Sequence, residues 1–294
     1  MIDPKLKDKT VIVTGANHGI GAATAIAFAG QGAKVFINYF RPSAEASGCV
    51  TEEQAGKATE PSRAYYYKMR TQSADEVVKA INNLGGTCYA WEADLSDPDN
   101  IPKLFDKAEE ELGQADILVN NAAYGKCDTF VPPGELDENK PFVGVFPMAT
   151  ISADSHDKHF AVNSRAVALM MEEYAKRYIC RKANWGRIIN ISSDGAYAHP
   201  CAVSYGASKY ATESYTRAAA VELGRYGITV NVISPGAVQT GWITADLEKQ
   251  ITESYPLRRM GRPEDIANAV VLIASEQADW ITGQVLYVGG GNRM

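Results

Sequence analysis

A tyrosine and a lysine four residues apart, Tyr205 and Lys209, form a pair with recognisable acid–base chemistry. They fall within a helical pattern, so their side chains share one face of the helix. A free phenol titrates near a pH of about 10, and a neighbouring ammonium is expected to lower that pKa because it favours the phenolate. Such a phenol could donate a proton to a carbonyl oxygen and take it back in the reverse reaction. The alternative is that both are ordinary residues of a helix surface.

A glycine-rich segment near the N-terminus has the composition of a phosphate-binding loop. Residues 14–21 read TGANHGIG and lie between a predicted strand and a predicted helix, Gly21–Gly30. Glycines permit a tight turn and a close approach of the backbone to a pyrophosphate, and a helix N-terminus offers free N–H groups. The Gly-x-x-x-Gly-x-Gly spacing differs from the usual dinucleotide fingerprint, so a simple turn is the alternative.

Short apolar runs alternate with longer helical patterns along the chain and define the elements that must position these groups. The predicted strands are Thr10–Val13, Lys34–Asn38, Thr87–Glu92, Ile117–Val119, Arg187–Ile191, Thr229–Ile233 and Gln284–Val288. Continuous apolar strands that alternate with helices predict a parallel sheet covered on both faces. We therefore expect an α/β fold with a doubly wound seven-stranded sheet, in one domain spanning residues 1–294.

Further motifs follow in order along nearly the whole chain. They are Asp94 after the third strand, Asn120-Asn121-Ala122-Ala123 after the fourth, Asn163, Ser192-Ser193 after the fifth, Tyr205-Gly206-Ala207-Ser208-Lys209, and Pro235-Gly236 with Thr240 after the sixth. Together with the glycine loop, they resemble the short-chain dehydrogenase/reductase family. The opening motifs are similar to those of 3-oxoacyl-carrier-protein reductases and sugar dehydrogenases. Ala123 stands where the family pattern has glycine.

The resemblance implies a Rossmann-like fold and a catalytic set. Tyr205 would be the general acid/base, Lys209 would also hold the nicotinamide ribose, and Asn163 would position a proton-relay water. A serine would hydrogen-bond the substrate oxygen. Counting from Arg187 indicates Ser193 and counting back from Tyr205 indicates Ser192; Ser193 is preferred because a strand's register changes less easily than a loop's length.

The resemblance also implies the residues that would contact the cofactor. They are Thr14, Gly15, Asn17, Gly19, Ile20, Gly21, Tyr39, Arg41, Asp94, Leu95, Asn121, Ala122, Ala123, Tyr205, Lys209, Pro235, Gly236, Val238 and Thr240. Asp94 would contact adenine, with a helix cap near Ser96 as the alternative.

The end of the second strand bears on which nicotinamide cofactor is used. A carboxylate there would bind the ribose diol, but the position is Tyr39, and Arg41 follows two residues later. Because an arginine can pair with a 2′-phosphate, we expect a preference for NADP, with NAD possible and with His18 as a second phosphate contact. The alternative is that Arg41 belongs to a solvated loop.

Two segments are long for connections in a compact domain. Residues 41–73 contain three consecutive tyrosines, Tyr65 to Tyr67, which could cover the adenine end of the cofactor, form a subunit contact, or belong to a disordered excursion. Residues 125–152 should overhang the active site, and their apolar side chains suggest an apolar wall or a packed loop. Those side chains are Phe130, Val131, Phe142, Val143, Val145, Phe146 and Met148. The resemblance places a mobile substrate lid at 240–255.

The composition of the chain argues against nucleic-acid binding, membrane insertion and metal binding. The chain has 294 residues and a net charge of −6, with no Lys/Arg run that indicates nucleic-acid binding. No apolar run approaches the roughly 18 residues needed to span a bilayer, and the five cysteines include no Cys-x-x-Cys pair. The four histidines show no metal-ligand spacing and are interpreted as loop or surface residues. We expect a cytoplasmic protein with no metal, no nucleic-acid or membrane partner, and a dimeric or tetrameric assembly by family resemblance.

The expected activity is the interconversion of a carbonyl and an alcohol by hydride transfer with NADP. Candidate substrates are 3-oxoacyl thioesters, small ketones and diketones, sugars and steroids. Two alternatives are open: a non-catalytic dinucleotide-binding sensor or scaffold on the same fold, and an enzyme of this fold that performs epimerisation or dehydration, whose longer C-terminal substrate domain is not evident.

Overall fold

The strands form one large parallel sheet and one small one. The computed structural model describes residues 3–42, 50–136 and 146–292. The strands are β1 (Thr10–Thr14), β2 (Lys34–Tyr39), β3 (Thr87–Glu92), β4 (Ile117–Asn120), β5 (Cys127–Thr129), β6 (Met148–Thr150), β7 (Gly186–Ile191), β8 (Ile228–Pro235) and β9 (Val285–Val288). The large sheet has seven strands in the order β3-β2-β1-β4-β7-β8-β9, and β5 pairs with β6 separately. The predicted seven-stranded sheet is confirmed.

Helices connect the strands. They are α1 (Gly19–Gly30), α2 (Glu52–Lys57), α3 (Arg63–Arg70), α4 (Asp75–Asn83), α5 (Asn100–Leu112), α6 (Ala153–Phe160), α7 (Val167–Cys180), α8 (Val203–Leu223), α9 (Ala245–Ser254) and α10 (Pro263–Ala274). A π-helical turn, Ala161–Ala166, joins α6 to α7, and short 3₁₀ turns cover Pro133–Glu135, Gly224–Tyr226 and Glu276–Ala278. In the part of the chain that is described, no helix has the length and apolar character needed to cross a lipid bilayer.

Successive residues of a strand pack into two different hydrophobic cores, one on each face of the sheet, because side chains alternate across a sheet. On one face, Val11 and Val35 pack with Phe28 of α1 and with α10. On the other face, Ile12 and Phe36 pack with α5 and α7. Burial on both faces explains why the strands read as continuous apolar runs, and it confirms helices on both sides of the sheet.

The strand order reverses beside β1. The chain adds β2 and β3 on one side of β1, then returns to add β4 on the other side. Crossovers leave this point in opposite directions, which opens a crevice at the carboxyl ends of β1 and β4 where ligands bind in such folds. Thr14 ends β1, and Asn121 follows β4, so the predicted phosphate loop and the 121–123 motif lie together.

The two long segments have secondary structure of their own. Residues 41–73 contain α2 and α3, so a disordered excursion is wrong for the described part of this segment; residues 43–49 lie outside the described residues. In residues 125–152, β5 and β6 pair in parallel register, while 137–145 lie outside the described residues. Phe142, Val143 and Val145, which were expected to contribute to an apolar wall, lie outside the described residues. Phe130 is 75% exposed, so it does not line an apolar wall.

Candidate active site

The loop between β1 and α1 requires glycine at particular positions. Gly15 has a φ of +64°, and a Cβ placed there would lie 2.7 Å from the Cα of Ala122. A Cβ on Gly21 would lie 2.3 Å from the carbonyl oxygen of Gly15. Contacts this short exclude a side chain, so the backbone at the start of α1 stays bare and free to approach a ligand.

The ends of β1 and β4 hold this loop in place through Thr14 and Asn121. The Thr14 hydroxyl accepts hydrogen bonds from the backbone N–H groups of Asn121 and Ala122, both at 3.0 Å. The Asn121 amide donates to the carbonyls of Thr14 and Gly15, both at 2.9 Å. These predicted cofactor-binding residues therefore shape the loop, with Ala123 next along the chain.

The segment after β8 reaches the same loop at Thr240. A Cβ on Gly236 would lie 2.9 Å from the Cα of Gly289, so Gly236 lets the two backbones approach. Farther along, the Thr240 methyl lies 3.2 Å from the position of a Cβ on Gly19. Pro235 ends β8, and Val238 is buried and bridges to Gly261. Of the predicted residues at 235–240, Thr240 is the one these contacts bring to the glycine loop, while Ile20 packs against the core.

The end of β2 carries an ion pair that the sequence analysis missed. Tyr39 is in register with Glu92 of β3, and the Glu92 carboxylate accepts from Arg41 at 3.0 Å from Nε and 2.6 Å from Nη2. These hydrogen bonds hold the pKa of Glu92 below its usual value. The Arg41 charge is therefore already neutralised, and a phosphate would compete with Glu92 for it. Glu92 is the last residue of β3, which pairs with β2, and its place at the end of a predicted strand is the signal in the sequence that points to it.

Asp94 and Leu95 follow β3. The Asp94 carboxylate accepts from the backbone N–H of Ser96 at 2.8 Å. The next helix, α5, begins at Asn100 with Asp99 as its N-cap residue, so the alternative that Asp94 caps that helix is wrong. The Leu95 side chain is buried in the core.

Tyr205 and Ser193 meet at the carboxyl edge of the sheet. The Ser193 side chain interacts with the Tyr205 phenol and opposes the effect of burial, which raises the pKa of the phenol to about 12. The backbone N–H of Gly195 donates to the Ser193 hydroxyl at 3.1 Å. The Tyr205 ring faces the backbone of Gly125, where a Cβ would lie 3.7 Å from Cδ2. A protonated phenol and a serine hydroxyl therefore point to one place.

Ser192 has a different environment from its neighbour. It is 3% exposed, and its hydroxyl donates to the Glu213 carboxylate of α8 at 2.9 Å. Adjacent residues at a strand end point to opposite sides of the sheet. Of Ser192 and Ser193, it is Ser193 that interacts with Tyr205.

Lys209 lies one helical turn from Tyr205 and is 2% exposed. Its ammonium donates to the carbonyl of Ile191 at 2.8 Å and lies 5.9 Å from the centre of the Tyr205 ring. Burial lowers the pKa of Lys209 to about 8. The expectation that Lys209 lowers the pKa of Tyr205 is wrong for this structure, because desolvation dominates the phenol and the ammonium is directed to a backbone carbonyl.

Asn163 lies in the π-helical turn and is completely buried. Its Oδ1 accepts from the backbone N–H of Tyr124 at 2.8 Å, and its Nδ2 donates to the Tyr124 carbonyl at 2.9 Å. Nδ2 also donates to the Ser208 hydroxyl at 2.9 Å. The side chain thus joins the segment after β4 to α8, the helix of Tyr205.

Comparison with known proteins identifies the family. The family model described as Enoyl-(Acyl carrier protein) reductase matches residues 59–293, and the one described as short chain dehydrogenase matches residues 9–69. The chain belongs to the short-chain dehydrogenase/reductase family. Its relatives named dehydrogenases and reductases show it to be an NAD(P)-dependent oxidoreductase.

Three similar proteins illustrate this short-chain dehydrogenase/reductase membership. A 7alpha-hydroxysteroid dehydrogenase of Escherichia coli K12 is 32% identical, covering 98% of this chain and 95% of the relative. Versicolorin reductase stcU of Emericella nidulans is 31% identical, covering 98% and 96%. The crystal structure of a dehydrogenase/reductase from Sinorhizobium meliloti 1021 superimposes with a TM-score of 0.76 at 29% identity, covering 99% and 98%.

In this short-chain dehydrogenase/reductase, the insertion after β2 reaches the glycine loop. The Asn17 amide donates to the carbonyls of Arg70 at 3.2 Å and Gln72 at 2.9 Å. Tyr66 stacks on His18, with ring centres 5.7 Å apart. These contacts place the tyrosine cluster beside the glycine loop; its covering of the adenine end of the cofactor and its role in a subunit contact stay predictions.

The interpretation of the histidines as loop or surface residues is wrong for His159; His18 lies in the loop before α1, as expected. His159 is completely buried, accepting from the backbone N–H of Lys126 at 3.1 Å, while its Nδ1 lies 2.6 Å from the Ser155 carbonyl. Both ring nitrogens of His18 are buried. Neither burial could be read from local sequence because long-range packing causes it.

Proposed function

We propose that the chain interconverts a carbonyl and an alcohol, with Tyr205 as the general acid and base. The observation that carries this proposal is the grouping of Tyr205 and the interacting Ser193 side chain beside the buried Lys209, at the sheet edge that also holds the glycine loop. These groups supply a proton donor and a second hydroxyl at one point, which is what a carbonyl oxygen needs as it becomes an alkoxide. We propose that a single domain, residues 1–294, contains both the cofactor site and the catalytic residues.

The residues present fit a dinucleotide cofactor. Cβ atoms at Gly15 and Gly21 would collide with backbone, so the loop is bare at the N-terminus of a 12-residue helix. Free N–H groups there favour a pyrophosphate. When bound, the nicotinamide supplies or accepts the hydride. Lys209, through its ammonium, is proposed to hold the ribose hydroxyls.

The protonation states suit carbonyl reduction at neutral pH. With a pKa of about 12, the Tyr205 phenol is protonated and ready to donate. We propose that the substrate oxygen accepts hydrogen bonds from Tyr205 and Ser193 and then takes the Tyr205 proton. In oxidation, the phenolate takes the proton back. The relay-water role of Asn163 stays a prediction; its contacts with Tyr124 and Ser208 support a role in positioning α8.

For the cofactor, we propose a preference for NADP that depends on Arg41. The guanidinium lies two residues beyond the end of β2, where the adenosine ribose is recognised in this kind of fold. A 2′-phosphate would have to displace Glu92 from Arg41. The preference is therefore expected to be moderate, with NAD also accepted.

The substrate class is open among four groups: 3-oxoacyl thioesters, small ketones and diketones, sugars and steroids. The relatives named as a hydroxysteroid dehydrogenase and a versicolorin reductase favour bulky polycyclic carbonyls in the test panel. Phe146 lies against Trp242 in the proposed lid segment, with ring centres 5.7 Å apart, which supports an apolar substrate. A cytoplasmic dimer or tetramer remains part of the proposal.

The test is a titration with NADPH and NADH, followed by carbonyl-dependent oxidation of the bound cofactor. Tyr205→Phe is expected to retain cofactor binding and to lose about 10²- to 10⁴-fold in kcat. Tyr210→Phe is the matched control, because Tyr210 lies on the same helix and is 49% exposed. Full activity in Tyr205→Phe would overturn the acid–base assignment, and dinucleotide binding without turnover on any carbonyl of the panel would favour the non-catalytic alternative.

A further inference from the structure

The helix α3, in the insertion after β2, is attached at both ends to the proposed cofactor site. At its start, the backbone N–H of Ser62 donates to the Gly241 carbonyl at 2.8 Å. At its end, the Arg70 and Gln72 carbonyls accept from the Asn17 amide. The helix therefore runs between the segment after β8 and the glycine loop.

Three side chains form a stack at the start of α1. His18 is the N-cap residue of α1, Tyr66 stacks on it at 5.7 Å, and the Arg70 guanidinium lies 5.6 Å from the centre of the Tyr66 ring. Burial, with a further contribution from the Arg70 charge, lowers the pKa of His18 to about 4. The Arg70 charge also opposes the rise that burial causes in the pKa of Tyr124, a residue that follows β4. The cation thus lies at the crevice between β1 and β4.

The polar groups of this stack have unmet requirements. Both ring nitrogens of His18 are buried without a hydrogen-bond partner among residues 3–42, 50–136 and 146–292. Within the same ranges, Arg70 has no carboxylate partner, whereas Arg41 has Glu92. The N-cap residue His18 makes no capping hydrogen bond with its side chain, and the N-terminus of α1 carries a positive partial charge. An anion bound at this position would interact favourably with both the Arg70 cation and the positive end of the helix.

We propose that Arg70 and His18 bind the pyrophosphate of the dinucleotide at the N-terminus of α1, so that the insertion contributes a cation to the cofactor site. This inference rests on the proposed function. The pyrophosphate is favoured over the 2′-phosphate because the stack lies at the start of α1, whereas the 2′-phosphate belongs at the end of β2. Arg70 adds charge-assisted hydrogen bonds, and a ring N–H of neutral His18 donates a further one.

The experiment measures binding of 5′-ADP, 2′-AMP and adenosine to the full chain by calorimetry, alongside NADH and NADPH. Arg70→Met is expected to weaken 5′-ADP and both dinucleotides about tenfold or more, and to leave adenosine and 2′-AMP unchanged, since one charge-assisted hydrogen bond to an ionised group is lost. His18→Phe, which retains the stack on Tyr66, should weaken 5′-ADP as well. Arg63→Met is the matched control on the exposed side of α3, and thermal melting verifies that each variant folds.

Different outcomes overturn different statements. If the unaltered chain binds dinucleotides but Arg70→Met binds 5′-ADP as tightly or more tightly, this inference fails and the proposed function stands. A loss confined to 2′-AMP and NADPH would overturn the assignment to the pyrophosphate. Failure of the folded, unaltered chain to bind any dinucleotide would overturn the proposed function and this inference with it.

Discussion

The Lys209 ammonium lies 5.9 Å from the centre of the Tyr205 ring but donates its hydrogen bond to the Ile191 carbonyl. Burial affects both groups in the direction that disfavours charge: it lowers the pKa of Lys209 to about 8 and raises that of Tyr205 to about 12. A buried ammonium near the reacting groups is expected to lower the stability of the folded protein.

Replacement of Lys209 should reveal this cost. The folded pKa of about 8 lies below the unfolded value of 10.5, so the cost is fully present below pH 8 and disappears as pH rises through about 10.5. A shift of this size corresponds to about 3 kcal/mol, and the lost hydrogen bond to Ile191 offsets about 1 kcal/mol. Lys209→Met should therefore unfold with a free energy about 1–2 kcal/mol higher at pH 7 while losing activity.

Urea unfolding of both proteins at pH 7 and pH 9.5 checks this. The difference between Lys209→Met and the unaltered chain should shrink at the higher pH, because groups common to both proteins cancel in the difference. A variant that is less stable at pH 7, or a difference independent of pH, would contradict the argument.

The two adjacent serines should separate catalysis from stability. Ser193→Ala removes the hydroxyl that interacts with Tyr205, so kcat should fall about 10²- to 10³-fold with little change in unfolding free energy. Ser192→Ala removes a buried partner of Glu213, so the free energy of unfolding should fall by about 1–3 kcal/mol while activity per folded molecule persists. Steady-state kinetics and chemical unfolding of both variants measure this, and the reverse pattern would assign catalysis to Ser192.

Gly21→Ala tests the bare backbone of the loop. The added Cβ would lie 2.3 Å from the Gly15 carbonyl oxygen, so dinucleotide affinity should be lost and stability should fall by about 1–3 kcal/mol. Gly30→Ala, at the other end of α1, is the control because nothing lies within 4 Å of its added Cβ. It should be neutral or stabilising by up to about 1 kcal/mol. Equal behaviour of the two variants in melting and NADH titration would refute the close-approach argument.

Glu92→Gln should shift cofactor preference toward NADP. The substitution weakens the contact with Arg41 and removes a negative charge near the end of β2, so the ratio of the NADPH to NADH dissociation constants should fall about three- to tenfold. Arg41→Ala should raise the same ratio. Glu110→Gln, in an exposed pair with Lys107, is the control. Fluorescence titrations with NADPH and NADH measure this ratio. An unchanged ratio in both the Arg41 and the Glu92 variants would show that the ion pair does not influence cofactor preference.

The sequence by itself determined the sheet, the glycine loop and the grouping of Tyr205 with Lys209. These features are local, because a strand buried on both faces needs a continuous apolar run and residues four apart on a helix share a face. The predicted strands agree with β1–β4 and β7–β9 to within one or two residues at each end.

Only the tertiary structure decided which serine contacts Tyr205, which residue neutralises Arg41 and which direction the Tyr205 pKa moves. Ser192 and Ser193 differ by one step of the strand pleat, and Glu92 is distant from Arg41 in the chain but adjacent across two strands. The pKa of the phenol depends on two opposing effects. Loss of water on folding raises it, and a nearby ammonium lowers it by an amount that depends on the distance. That balance depends on the packing of the folded chain, and local sequence patterns do not contain it.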